Sequence, residues 1–430
     1  MPANRVRTSV GLDFGTTNTV AAVAGPGGTP ELIAFESPDG ADPVFRSALC
    51  FWQEDRGIAA EAGPWAIAEY LELPQDSRFI QSFKSVAASA VFEHASIFDK
   101  RYRFEELGRF FLQKLAARSG GVLDGNVDRV VVGRPVEYAG GRPDDALARR
   151  RYDMMFEGFA REILYVYEPL AAAFSYASRI VDPATVLVAD FGGGTSDFSV
   201  VRIGAAGEPQ RCRPLHHAGI GIAGDRFDRR IIDKVVLPML GQGGTYRSFD
   251  KLLEIPRGYF ADFADWSRLA LMRNRKTLAE LDRLRRSATD PEAIGRMITV
   301  VEAELGYQLY EAVGRLKREL SAADEAVFRF DGGGMTIEAK VAGSDFESWI
   351  APDVDRIAAT VDAAVAGAGI DAAQIDRVFL TGGTSLTPRV RRLFAERFGE
   401  DRIVAGGELT SIADGLARIG AEEDPSAWAV

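Results

Sequence analysis

Cysteine and histidine are scarce in this chain. Of its 430 residues, only Cys50 and Cys212 are cysteines and only His94, His216 and His217 are histidines. Two cysteines exclude a disulfide framework and a cysteine-built zinc site. They suit buried, reduced thiols in a reducing cytoplasm. Three histidines leave little room for Ser-His-Asp chemistry, and none stands near a nucleophile motif. The His216-His217 pair, just ahead of the glycine-rich GIGIAGD, reads as structural or surface. Basic residues are also outnumbered. Fifty-one Lys and Arg against 62 Asp and Glu give a net charge of −11, which excludes a general nucleic-acid surface. No apolar run is long enough to span a bilayer. The opening MPANRVRTSVGL lacks the apolar centre of a signal peptide. The expectation is a cytoplasmic protein with no nucleic-acid or membrane partner.

What the chain does have is glycine beside acids at strand ends. The stretch VLVADFGGGTSDFSV, Val186 to Val200, runs as an apolar strand, then Asp190, then Gly192-Gly193-Gly194-Thr195, then Asp197 and a second strand. Such a hairpin tip is nearly free of side chains. It reads either as an ordinary tight turn or as a phosphate cradle built from successive backbone N–H groups. A second copy favours the cradle. SVGLDFGTTNTVAAV near the N-terminus again runs strand, Asp13, Phe14, Gly15, Thr16, Thr17, strand. The two copies are too far apart for a solenoid and mark the halves of a duplicated architecture. Facing each other, they offer room for a polyphosphate with Mg²⁺, an ion that keeps several waters and few carboxylates.

Other elements follow in order. Residues 8–35 read as a β-meander with a turn at Gly25-Pro26-Gly27-Gly28, and Ser47 to Trp52 as a strand. Lys84 stands between a helix and a loop, a position that is ordinarily solvated but suits a phosphate-facing cation. Tyr102 to Ser119 and Asp144 to Arg161 read as helices, with Arg149-Arg150-Arg151 as a solvated basic face. Asp128 to Gly133 and Ile163 to Tyr167 are strands. The second runs into Glu168-Pro169-Leu170-Ala171-Ala172-Ala173, where Pro169 suits a first helical turn. Glu168 therefore stands at a strand-to-helix junction, either complementing the helix dipole or serving chemistry. Helices are expected over Phe227 to Leu240, Trp266 to Arg286, Ile294 to Ser321, Pro352 to Ala368, Pro388 to Phe398 and Leu409 to Gly420. The last is expected to pack near the chain's start. The third glycine tip, Gly332-Gly333-Gly334, is followed by Met335 and reads as a plain turn.

Together the motifs resemble the ATPase domain of the heat shock protein 70 (DnaK-type) chaperones. GLDFGTTNT is similar to the first phosphate loop, ADFGGGTSDFSV to the second and FLTGGTSLTPRV to the adenosine loop. YEPLAAAFSYA, GIAGDRFDRRI and LKRELS are similar to further family segments. The resemblance covers about residues 8 to 420. It implies an α/β, two-lobed actin-like ATPase fold of duplicated ribonuclease H-like domains. Lobe I would span 1–184 with an insert about 37–115. Lobe II would span 185–430 with a helical insert about 226–320. As in short YegD-type members, the family's peptide-binding β-sandwich and lid are expected to be missing.

The resemblance also implies roles. Asp13 and Asp190 would hold Mg²⁺ through its water. Gly15, Thr16, Thr17 and Asn18, with Gly192, Gly193, Gly194 and Thr195, would bind the phosphates of ATP or ADP. Lys84, Glu168, Asp197 and Thr195 would act in hydrolysis. Gly224, Lys317, Arg318, Ser321, Gly382, Gly383, Thr384 and Leu386 would face the nucleoside. Leu386 replaces an adenine-stacking Arg and Gly314 a ribose-binding Glu. Three functions compete: a slow chaperone-like ATPase whose lobe closure switches an unknown protein partner or client, a nucleotide-binding interaction module without hydrolysis, and a small-molecule kinase. Lys84, where a kinase needs a substrate-side base, weighs against the last.

Overall fold

A computed structural model describes residues 8–430 apart from 26, 56, 124–126, 141, 209–210, 265–268, 270–271 and 408. Two compact units make up the chain, one of residues 1–224 and 354–430, the other of residues 225–353.

Two sheets dominate the first unit. Counting only their strands, the first holds β1 (Ser9–Phe14), β2 (Asn18–Ala24), β3 (Glu31–Leu32), β4 (Arg129–Arg134) and β5 (Glu162–Tyr167). The second holds β6 (Ala184–Phe191), β7 (Ser196–Ile203), β8 (Cys212–Ile220), β9 (Arg377–Thr381) and β10 (Ile403–Ala405). The first has the order β5-β4-β1-β2-β3, with Val44–Arg46 also pairing β2, and the second the order β10-β9-β6-β7-β8. In each, an antiparallel hairpin leads and two parallel strands extend it on the far side. The shared strand order is the duplication that the two glycine hairpins suggest, and it is a mixed α/β architecture. Parallel strands covered on both faces carry apolar runs rather than alternation. Accordingly every residue of β4 is buried.

Helices α1 (Phe104–Ala117), α2 (Asp145–Phe156), α3 (Glu168–Ala177), α4 (Pro388–Phe398) and α5 (Ser411–Ala421) complete the frame. Helices α3 and α5 exchange sheets. Helix α3 follows the first sheet but packs on β6 and β7, whereas α5 follows the second but packs on β1, β2 and β4. The two helices also pack on each other. Small residues make this possible. A Cβ on Gly415 would lie 1.7 Å from the Ala171 carbonyl oxygen, and one on Gly420 would lie 1.8 Å from Ser9 Oγ. Arg129 ties the far end of α5, donating from Nη1 to the Gly420 carbonyl at 2.8 Å while Nε meets Glu162 at 2.8 Å. Because backbone cannot yield as a flexible side chain does, Gly415→Ala is expected to destabilise the fold by about 2–3 kcal/mol. Urea unfolding midpoints measure this; an unchanged midpoint would show that the helices can separate at no cost.

Some expected elements differ. Helix α2 stops at Phe156 rather than Arg161, and Arg151 is buried. It shares the inward face of Ala148, Tyr152 and Met155, at helical spacing. Its guanidinium donates to the carbonyls of Val86, Ala87, Ser89 and Phe92. In the second unit, the helix expected over Ile294 to Ser321 is two, Pro291–Glu302 and Gly306–Leu320, separated by Glu304 at φ 53°. The segment expected over Phe227 to Leu240 is helical but contains a π-turn at Ile232–Val236. The helix expected from Pro352 starts at Gly343 and carries Pro352 inside it. Of the Trp266–Arg286 expectation, 266–268 and 270–271 lie outside the described residues, and Arg275–Ser287 is helical. Pro26 also lies outside them. The third glycine tip joins the hairpin Glu325–Gly332 and Met335–Ala342. Among the described residues no helix is long and apolar enough to cross a membrane.

Candidate functional site

Both glycine hairpins end at one place in the first unit. Asp13 lies one residue before the end of β1 and Asp190 one before the end of β6, and Asp190 stands opposite Asp197 in the β6–β7 register. The loops close on themselves: Gly15 N donates to Asn18 O at 3.0 Å, and Gly192 N donates to Thr195 O at 2.9 Å. They also approach each other, because a Cβ on Gly194 would sit 3.6 Å from Thr16 Oγ1. Gly224 N reaches the carbonyl of Gly192 at 3.4 Å, so it borders the second loop.

Between the loops lies a buried ion pair. Lys84, in the short 3₁₀ turn Phe83–Val86, places Nζ 2.6 Å from Glu168 Oε1, each side chain only 7% exposed. Ser82 enters that turn at φ 54°, a left-handed conformation for a residue other than glycine. The Phe14 ring lies 6.0 Å from the ammonium. Glu168 is the first residue of α3, and Gly133 makes room for it; a Cβ there would press on Glu168 Cγ at 3.0 Å. Burial works against the Lys84 charge, but Glu168 and then Asp13 outweigh it and hold the ammonium above its ordinary range.

Three more carboxyls surround the pair. Burial, then the neighbouring Glu168, raises Asp13 from 3.8 to about 7, with Lys84 pulling it back. Burial and then Glu168 raise Asp197 to about 7 as well, against Thr195 and two backbone amides. Asp190 is held well above the usual carboxylate range by burial, then by Glu168, Asp13 and Asp197. Asp197 Oδ1 accepts from Val136 N at 2.7 Å and Glu137 N at 3.3 Å. Its Oδ2 is buried with no hydrogen-bond partner among the described residues. Gly219 makes room here, since a Cβ would lie 2.6 Å from Asp197 Oδ1. Three buried carboxyls and the half-buried Asp13 around one ammonium are costly unless a cation joins them. Among the described residues no three metal-ligating side chains converge on one point. The orphaned Oδ2 and the excess of carboxylate therefore suit a hydrated ion rather than a directly ligated one.

The other sequence-expected residues are placed as follows. Gly382, at φ 81°, lies flat against the second hairpin; a Cβ there would be 2.0 Å from Phe191 O. Gly383 to Leu386 form a 3₁₀ turn in which Thr384 is buried and Leu386 is 57% exposed. Lys317, Arg318 and Ser321 belong to the second unit, at the end of helix Gly306–Leu320. There Lys317 Nζ meets Asp228 Oδ2 at 2.8 Å, and Ser321 Oγ donates to the Lys317 carbonyl at 3.0 Å. Arg318 folds back over Gly314, with Nη1 3.5 Å from where a Cβ would stand. His217 is half-buried, its Nδ1 2.5 Å from Ser199 Oγ and its ring 4.9 Å from that of Tyr167. Sequence reading missed Arg134 and Tyr138. The Arg134 guanidinium lies 5.2 Å from the Tyr138 ring, and burial raises the Tyr138 hydroxyl to about 12, with Arg134 and Lys84 opposing. The aromatic three residues past Arg134-Pro135 gave no signal of its own.

The family model for Hsp70 protein matches residues 76–240 and 301–420. Among curated relatives, the chaperone protein DnaK of Thermotoga petrophila is 25% identical over 394 residues, 91% of this chain and 55% of its own. The chaperone protein DnaK of Thermotoga maritima gives the same values. That of Thermosipho africanus is 26% identical over 402 residues, 93% of this chain and 56% of its own. The chain thus spans about half the length of the curated relatives it matches.

Proposed function

This chain belongs to the Hsp70 protein family, and from that premise we propose that it is a chaperone-like protein that binds ATP and hydrolyses it slowly in the cytoplasm. The observation that carries the reading is the buried Lys84–Glu168 pair, with buried Asp190 and Asp197 and half-buried Asp13, where two glycine hairpins meet. Thr16, Thr17 and Asn18 on one hairpin, and Gly192 to Thr195 on the other, supply donors for the β- and γ-phosphates. Gly224 and Gly382 to Leu386, all in the first unit, are assigned to the nucleoside. Asp13 and Asp190 would hold Mg²⁺ through its water, and that ion would neutralise charge on the phosphates.

Hydrolysis then needs positioning more than covalent chemistry. A water oxygen bonds to the γ-phosphorus as the bond to the β–γ bridging oxygen breaks, leaving ADP and phosphate. Lys84 offers positive charge to the γ-oxygens. Asp197 Oδ2, without a hydrogen-bond partner among the described residues, accepts a hydrogen bond from the attacking water, and Glu168 orients Lys84. The water's proton leaves with phosphate and solvent. Nucleotide-dependent lobe closure is read by a protein partner or client through differential contacts. The alternative is a nucleotide-binding module without hydrolysis, favoured by how tightly Glu168 occupies Lys84.

Calorimetry with ATP, ADP and GTP, with and without Mg²⁺, followed by phosphate release, tests the reading. ATP is expected to bind only weakly without Mg²⁺. Asp190→Asn is expected to weaken Mg²⁺-dependent binding by about tenfold, as for loss of a charge-assisted contact. Equal ATP affinity with and without the metal would remove the role given to Asp13 and Asp190.

A further inference from the structure

Arg46 ends the short strand Val44–Arg46, which pairs with β2 so that Arg46 stands opposite Asn18. Its Nη1 lies 3.2 Å from Asn18 Oδ1. A guanidinium carries donors and no acceptor, so the end of the amide facing it must be the oxygen. The Asn18 Nδ2 donor is thereby turned the other way. The next residue fastens the same hairpin. Ser47 Oγ donates to the Gly15 carbonyl at 2.7 Å, and Ser47 N donates to the Thr17 carbonyl at 2.9 Å. The Ser47 and Thr19 hydroxyls lie 2.9 Å apart.

A small cavity of about 10 Å³ adjoins this contact, bounded by Arg46, Thr16, Thr17, Gln81 and Ser82. Its size suits roughly one water. The last two residues lead directly into the turn that carries Lys84. Arg46 is therefore linked to both the first hairpin and the lysine segment.

Charge gives this placement a purpose. Asp13, Glu168, Asp190 and Asp197 surround a single ammonium, a poor setting for a polyphosphate. Arg46 places a second fixed cation beside the first hairpin, at the Asn18 amide. We propose that Arg46 is a positioning residue for the terminal phosphate: it fixes the Asn18 amide donor toward the ligand and adds positive charge, so that the site distinguishes a nucleoside triphosphate from a diphosphate. This rests on the nucleotide-binding reading above.

The test is calorimetric titration of the whole chain with a non-hydrolysable ATP analogue and with ADP, each with Mg²⁺. Wild type is compared with Arg46→Met, Arg46→Lys, Asn18→Ala and the Arg46→Met/Asn18→Ala pair. Arg46→Met is expected to weaken the triphosphate about tenfold or more, the size of one lost charge-assisted hydrogen bond. ADP is expected to change by less than about twofold. Arg46→Lys is expected to recover part of the loss. The double variant is expected to lose no more than the larger single change, because the two residues act as one unit. Equal losses for both nucleotides, no loss, or additive losses would overturn the proposal. Unliganded thermal midpoints separate these outcomes from a folding defect. Wild type that binds neither nucleotide would sink the nucleotide-binding reading itself, and this proposal with it.

Discussion

Replacing Lys84 by Ala is expected to slow single-turnover ATP hydrolysis by about 10²- to 10³-fold, the loss typical of one preorganised donor to developing negative charge. ATP should still bind, because the glycine loops and the carboxylate pair are untouched. The variant carries a second cost. Lys84 Nζ sits 2.6 Å from a Glu168 carboxylate that is equally buried. Breaking such a pair from one side ordinarily costs about 3–5 kcal/mol, since a buried charge is left alone. The double variant Lys84→Ala/Glu168→Gln removes that charge and is expected to regain stability without regaining turnover. Recovery of turnover in the double variant would mean that Lys84 serves only to neutralise Glu168. Unchanged turnover in Lys84→Ala would take the lysine out of the mechanism.

The carboxyl cluster predicts a stability profile opposite to that of most proteins. Asp13 and Asp197 are raised from 3.8 to about 7 in the folded chain. Between these values the unfolded chain has ionised while the folded chain still holds its protons. The folded state therefore binds more protons, and stability falls as pH rises through this window. Below about pH 4 neither state is penalised, and above about pH 7 the penalty is complete. Without ligand, the thermal midpoint should drop from pH 5 to pH 8. Mg²⁺ with ATP should flatten that slope by supplying the missing positive charge. Asp197→Asn should raise the unliganded midpoint at pH 8 while abolishing turnover. This is the stability given up to keep a functional acid. A midpoint that rises from pH 5 to pH 8, or an Asp197→Asn variant less stable than wild type at pH 8, would count against buried ionised carboxylates here.

Much of this was legible because it is written in local pattern. Asp-Phe-Gly twice, Glu-Pro before an alanine run and Gly382-Gly383 each describe a backbone event at a strand end, and short-range sequence encodes such events well. Features set by packing partners were harder to read. Arg151 stands in a basic run that reads as solvated, although its spacing from Ala148 and Met155 puts it on the buried face. Its partners are carbonyls in the segment 86–92, and no local pattern announces a distant backbone. Arg46 carries no local signal for the same reason, since only the pairing of its strand with β2 brings it to Asn18. Pro352 reads as a helix start because proline favours that place, whereas earlier turns already fix the helix from Gly343.

The exchange of α3 and α5 bears on how the chain is made. During synthesis the first sheet is complete once Tyr167 has emerged, yet the helix that covers it, Ser411–Ala421, lies far downstream. Until then the glycine-bearing face of β1 is open, and the alanine-rich face of α3 lacks its partner. A nascent chain, or one broken between β5 and α5, is thus left with an unfinished apolar surface, the condition that invites aggregation. Long-range closure of this kind also slows folding. A protein of a chaperone family is then itself a candidate for protection while it leaves the ribosome.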